Sequence, residues 1–280
     1  MAVERIGGAA DPRVAPFRDV PDAERLRSQG LFVAEGRLIV ARILEDSRHR
    51  VRAVLVNDAS YRELVTAFAR LPGDVPIFVA NRSAILDLTG HDLHRGCLAL
   101  VERPLAASAA TILASAETVV ILEGVSNADN VGGVFRNAAA FGASVLLSPA
   151  CCDPLYRKAI RTSMGAVLRV PFARLDEWPS ALADVRAAGF TVAALTPREP
   201  AETLGLFARR SRAGRLAWLV GTEGAGLSDA VEAAADHRVR IPISRAVDSL
   251  NVAVAVGIAL HEGTADFSSA DSPRKITRPL

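Results

Sequence analysis

Lysine is nearly missing: Lys158 and Lys275 are the only two among 33 basic residues, and arginine supplies the rest. Against 31 acidic residues the formal net charge is +2, which excludes a uniformly basic nucleic-acid coat but permits a local patch. Arginine suits phosphate because its planar fork binds bidentately; a genome-wide composition bias accounts for the same excess equally well. Cysteine is scarce too. Cys97, Cys151 and Cys152 form neither a disulfide framework nor the CxxC pairs of a zinc site. His91 and His94 stand close together without a neighbouring Cys or an HExxH frame, so they read as surface or capping residues and no metal is expected. The opening MAVERIGGAADPRV has no apolar run to serve as a secretory signal. The most apolar stretch, 252–260, is far shorter than the roughly 20 residues that cross a bilayer. The expectation is a cytoplasmic protein with no membrane partner.

What is present is a chain of 280 residues, half of them hydrophobic, which can bury a sizeable core and is long enough for two domains. The first dozen residues are rich in Gly, Ala and Pro and read as loose. A first helix follows over 21–29, ended by Gly30, and then LFVAEGRLIVARILED reads as an extended start running into an amphipathic helix. Strands over 51–56, 75–79 and 97–101 alternate with helices over 61–69 and from 83. This alternation predicts a small α/β domain over 1–103. Residues 104–117 read as a partly helical linker, 118–265 as a second domain, and the polar tail 266–280 as disordered.

The second domain opens with TVVIL at 118–122, a continuous apolar run suited to a strand buried on both faces. Further strands are predicted over 145–147, 190–195, 215–220 and 238–243. Gly132 and Gly133 let the backbone pass close to something, and a helix over 134–141 then carries Arg136 in its first turn. The most basic stretch places Arg157, Lys158 and Arg161 on a short helix, where a solvated face and RNA phosphate are equally good explanations. Strand 215–220 ends in GTEGAGLS, which has neither the Lys of a P-loop nor the GxGxxG spacing, and no acidic ribose partner lies about 20 positions on. These departures argue against a simple nucleotide-phosphate site, and Glu223 points into whatever the glycines admit.

The stretch IPISRAVDSLNVAVAVGIALHE, from Ile241, organises the end of the chain. Pro242 keeps Ile241 extended. Asp248, Ser249 and Asn251 surround Leu250, where a Ser or Asn can cap the next helix. That helix has no polar face over 252–260, which predicts burial on all sides.

Three stretches, DNVGGVFRNAAAFGA at 129–143, LVGTEGAGLS at 219–228 and IPISRAVDSLNVAVA at 241–255, resemble in this order the motifs of the SpoU (TrmH-type) ribose 2′-O-methyltransferases of the SPOUT superfamily. Each is weak alone, and the joint match is specific. LFVAEGRLIV resembles, less specifically, the small α/β substrate-binding domain, similar to a ribosomal protein, that many such rRNA enzymes carry in front.

The resemblance implies a parallel sheet whose C-terminal part is threaded into a trefoil knot, an exception to the near absence of knots. It implies S-adenosylmethionine in that knot, with its adenosine on the backbone at Leu195, Thr196, Gly221, Ile241 and Leu250. It implies a homodimer through the first-motif and last helices, and an RNA substrate. Arg136 would serve the ribose hydroxyl, as base or as holder of the adjacent phosphate, with Asn130, Glu223, Ser249 and Asn251 orienting it, the cofactor and the ribose. Arginine is effectively always protonated, which favours electrostatic positioning, the proton passing to phosphate or water. A sulfonium is already a good leaving group, so the chemistry requires no metal. The separate first domain favours rRNA over tRNA, and a non-catalytic RNA-binding protein on the same fold is the reading of a different class. Taken singly, Asn130 also reads as a turn residue, Glu223 as a loop charge, Ser249 as a helix cap and Arg136 as an ion-pair partner.

Overall fold

In a computed structural model the described residues are 2–19, 23–90, 96–211, 214–244 and 246–263; His91, His94 and the tail from 266 lie outside them. The chain forms two compact units, Met1–Leu105 with Leu155–Gly165, and Ala106–Pro154 with Ala166–Leu280.

The first unit runs β1 (Ala2–Ile6), α1 (Ala23–Ser28), β2 (Leu31–Glu35), α2 (Arg37–Glu45), β3 (Val51–Val56), α3 (Asp58–Phe68), β4 (Pro76–Ala80), α4 (Arg82–Thr89) and β5 (Cys97–Glu102). Its sheet has the order β1-β4-β3-β5-β2, with β1, β4 and β3 parallel and β5 antiparallel to both neighbours. Helices α3 and α4 start where Asn57 and Asn81 accept hydrogen bonds from the amides of Ser60 and Ala84, each at 2.8 Å. The N-terminus departs from the loose reading. β1 adds an edge to β4, and a 3-10 helix over Pro12–Asp19 fully buries Val14 and Phe17. Phe17 meets the Phe78 ring edge-on at 6.4 Å. Two buried side chains fix a segment too short to display a periodicity.

The rest of the chain runs α5 (Ala109–Ser115), β6 (Thr118–Leu122), α6 (Ala128–Phe141), β7 (Ser144–Leu147), α7 (Arg157–Thr162), β8 (Phe172–Arg174), α8 (Leu182–Ala187), β9 (Phe190–Leu195), β10 (Glu202–Thr203), α9 (Leu204–Ser211), β11 (Arg215–Val220), α10 (Asp229–Ala234), β12 (His237–Arg240) and α11 (Val252–Gly263). All seven strands are parallel, in the order β10-β12-β9-β11-β6-β7-β8. Buried on both faces, β6 and β11 explain the uninterrupted apolar runs at their positions. α5, in the region read as a linker, inserts Ile112 and Leu113 into this unit's core.

α7 belongs to the first unit, although its sequence position lies in the predicted second domain. Two of its three charges meet a carboxylate of the same unit. Arg157 Nη1 stands 3.3 Å from Glu35 Oε2 and Arg161 Nη1 3.6 Å from Glu35 Oε1, and Glu35 is only 3% exposed. A buried carboxylate requires such partners.

Two helices near the chain's motifs also differ from expectation. α6 begins at Ala128, where Asn127 accepts from the Asp129 amide at 2.8 Å, so Gly132 and Gly133 lie inside the helix and Arg136 is beyond its first turn. A Cβ on Gly133 would come within 2.6 Å of the Ala253 Cβ. The missing side chain lets α6 and α11 close on each other, which offsets the ~1 kcal/mol that a helical glycine costs. Asn137 Nδ2 then donates to the Ala253 carbonyl at 2.6 Å. α11 buries Val252, Val256, Ala259 and Leu260, yet Val254 is 51% exposed: the sheet and α6 cover only one side of it within a single chain. The last strand stops at Arg240 instead of 243, and Pro242, without an N–H, could not extend its ladder.

Candidate active site

β9 and β11 stay paired up to Ala194 and Leu219. Beyond that register their chains part, and the space between their C-terminal ends is a cavity, the usual place for a ligand in an open parallel sheet. One wall is Leu195, Thr196 and Pro197; another is Val220 to Gly224 with Gly226; Val239, Ile241, Ile243, Ser249, Leu250, Val252 and Ala255 complete it. All five positions expected to hold the cofactor line this one cavity, and so do Glu223 and Ser249. Glu223 is the only ionisable side chain among its described lining residues.

The glycine spacing now has a physical reason. Thr222 and Gly226 exchange main-chain hydrogen bonds of 3.1 and 3.0 Å, closing a small loop. Gly224 and Gly226 turn it with φ of 86° and 71°, a region that side chains disfavour. A Cβ on Gly221 would overlap the carbonyl of Gly226, so the loop closes only over glycine.

Asn251 joins this loop to the two helices. Its Nδ2 donates to Asn130 Oδ1 and to Glu223 Oε1, both at 2.8 Å, and its Oδ1 accepts from the amides of Ala253 at 3.0 Å and Val254 at 3.3 Å. Chemistry sets that orientation, because a carboxylate only accepts and a main-chain amide only donates. The cap of α11 is therefore Asn251 and not Ser249. Asn130 is 6% exposed, while Glu223 is exposed, with Oε2 left over. The structure thus brings Asn130, Glu223 and Asn251 together, puts Ser249 on the cavity wall, and leaves Arg136 outside. Arg136 is exposed on α6 and makes no hydrogen bond or ion pair to any described residue.

Sequence reasoning missed Glu123. At the end of β6, its Oε1 accepts from Ser228 Oγ at 2.8 Å and Trp178 Nε1 at 3.2 Å, and its Oε2 from the Ser228 amide at 2.9 Å. It anchors the far end of the glycine loop. The signal was a carboxylate directly after a buried parallel strand, where such sheets collect their sites. No cysteine is among the cavity's described lining residues, and burial pushes the Cys97 thiol up to about 12 and the Cys152 thiol up to about 11.

A profile of the SpoU rRNA Methylase family matches residues 117–261, more than half of the chain. The chain belongs to the SpoU family. An uncharacterized tRNA/rRNA methyltransferase of Mycobacterium tuberculosis is 40% identical over 269 residues, covering 94% of this chain and 92% of the relative. A 23S rRNA (guanosine-2′-O-)-methyltransferase, RlmB, from Burkholderia sp is 33% identical over 191 residues, covering 66% and 76%. Among solved structures, the AdoMet-bound rRNA methyltransferase of Sinorhizobium meliloti superposes with a TM-score of 0.78 at 25% identity, covering 93% of this chain and 97% of that one. That likeness covers more of the chain than the family profile, which is confined to 117–261.

Proposed function

We propose that this SpoU-family chain is an S-adenosylmethionine-dependent RNA (ribose-2′-O)-methyltransferase that acts on ribosomal RNA, in the cytoplasm, as a homodimer. The observation that carries the reading is the cavity at the ends of β9, β11 and β12, whose wall is largely main chain and apolar side chain. Main-chain donors and acceptors at Leu195, Thr196, Gly221, Ile241 and Leu250 suit the edges of an adenine, and Glu223 puts one negative charge beside a cationic ligand. Bound there, S-adenosylmethionine supplies an electrophilic methyl group on a good leaving group.

The protein's own residues must then align a 2′-hydroxyl and receive the charge it develops. Asn251 spends both of its amide hydrogens and its oxygen on protein partners, so its role is to position Asn130 and Glu223. Asn130 keeps its Nδ2 and Glu223 its Oε2 for substrate, with Ser249 beside them. Arg136 has no partner to give up among the described residues, and its permanent charge holds a phosphate and the nascent alkoxide, the proton passing to phosphate or water. The half-exposed apolar side of α11 at Val254 suits a second copy of the chain, and the knot implied by the resemblance is part of the same reading. An rRNA substrate is favoured by the separate first unit and by relatives named for rRNA.

The test is incubation with total unmodified RNA and methyl-labelled S-adenosylmethionine, followed by nuclease mapping. Label at one ribose 2′-oxygen of rRNA is the expected result. Label only in tRNA overturns the substrate, and absence of both label and cofactor binding overturns the enzyme in favour of a binding protein.

A further inference from the structure

We infer that Arg198 is a positioning residue that latches the mouth of the cofactor cavity, an inference that rests on the reading of that cavity as the S-adenosylmethionine site. Past Ala194 and Leu219 the β9 and β11 chains share no ladder, and their two loops form opposite walls of the cavity. Arg198 Nη2 donates to the Ala225 carbonyl at 3.1 Å, which among the described residues is the hydrogen bond that rejoins the walls. Its other arm, Nη1, pairs with Asp229 Oδ1 at 2.8 Å, just past the loop at the start of α10. Its main-chain amide donates to Thr196 Oγ1 at 3.2 Å, tying the guanidinium's base to a cavity-lining residue.

The wall that Arg198 holds is soft by composition. Gly221, Gly224 and Gly226 leave the loop few side-chain contacts, and its outside anchors are Glu123 at Ser228, Asn251 at Glu223 and Arg198 at Ala225. The first two hold the loop's end and its inner side. Arg198 alone among them reaches the carbonyl between the two left-handed glycines, where φ freedom is greatest. A planar fork can bridge a carbonyl and a carboxylate at once, which a lysine ammonium does less well. Pre-ordering the wall lowers the entropy cost of closing over a ligand, so its loss is felt in affinity and residence time, and not in the methyl-transfer step.

The experiment measures S-adenosylhomocysteine binding by calorimetry and its dissociation rate by stopped flow, on the full-length protein and on Arg198→Ala, Arg198→Lys and Asp229→Ala. The latch predicts that Arg198→Ala binds about tenfold more weakly, almost all of it in faster dissociation, with kcat at saturating cofactor unchanged. Arg198→Lys should recover part of the loss, and Asp229→Ala, which leaves Nη2 on Ala225 and Nη1 3.9 Å from Glu232 Oε1, should lie between. Equal affinity for wild type and Arg198→Ala overturns the latch while leaving the cavity assignment standing. A loss in Arg198→Ala that matches a fall in its unfolding midpoint, and that Arg198→Lys does not relieve, also overturns it. A wild-type protein that binds no S-adenosylhomocysteine overturns the cavity assignment itself.

Discussion

Glu35 and Asn251 do the same mechanical job in opposite chemical styles. Each sits at the end of an element and gathers partners more than 100 positions away: Arg157 for Glu35, Asn130 for Asn251. Glu35 does it with charge, as a nearly buried carboxylate between two arginines. Asn251 does it with a neutral amide whose every donor and acceptor is matched. The charged knot lies in a unit's framework, and the neutral one borders the cavity. Charge density is thus a poor guide to the candidate site: the most basic helix turns two arginines to a structural carboxylate, while the candidate site is assembled from amides, main chain and one exposed glutamate. The arginine assigned to chemistry, Arg136, is one the fold leaves unused.

That contrast can be broken in four places. Gly221→Ala carries the largest expected effect, because a Cβ there meets main chain that cannot give way. Cofactor affinity should fall by more than about a hundredfold, measured by calorimetry, and methyl transfer should be lost. Arg136→Ala should lower kcat by about 10²–10³-fold, a typical price for one electrostatic contact to a developing oxyanion, with cofactor affinity intact. Retained activity would remove Arg136 from the mechanism. Glu35→Ala should cost about 3 kcal/mol in urea unfolding by leaving Arg157 partly buried without its carboxylate, with kcat at saturation unchanged. A large drop in kcat would erase the division between framework and site. The smallest effect belongs to Asn251→Asp, which preserves the helix cap but sets a carboxylate against Glu223. About a tenfold loss of activity is expected, recovered in part by adding Glu223→Gln, which restores a donor to that contact.

Most of the second unit was legible because parallel strands buried on both faces write themselves as apolar runs, as in TVVIL and RLAWLV. The glycine loop and Asn251 were legible as motifs in a set order. What escaped has physical reasons. The start of α6 was hidden because Gly132 and Gly133 look like a turn, and only the approach of Ala253 explains Gly133 as a helix contact. β1 and the burial of Phe17 rest on few residues with no repeat. Glu123 and Arg198 carry no motif, since their partners, among them a main-chain amide and a main-chain carbonyl, lie 105 and 27 positions away with no spacing that marks them. The exposed side of α11 could not be foreseen from its composition, because an all-apolar helix reads the same whether its cover is its own chain or another.

The excursion of α7 into the first unit also sets a schedule. Glu35 is separated from Arg157 by 122 positions. At the ~5–20 residues per second of protein synthesis, the ribosome adds the arginines of α7 roughly 6–24 seconds after Glu35. For that interval β2 carries Glu35 without its contacts to Arg157 and Arg161, so the first unit lacks part of its framework while it is the only part made. A nascent chain cut just after β5 should therefore hold a looser first unit than one cut after Gly165, because the second carries the segment that completes the unit.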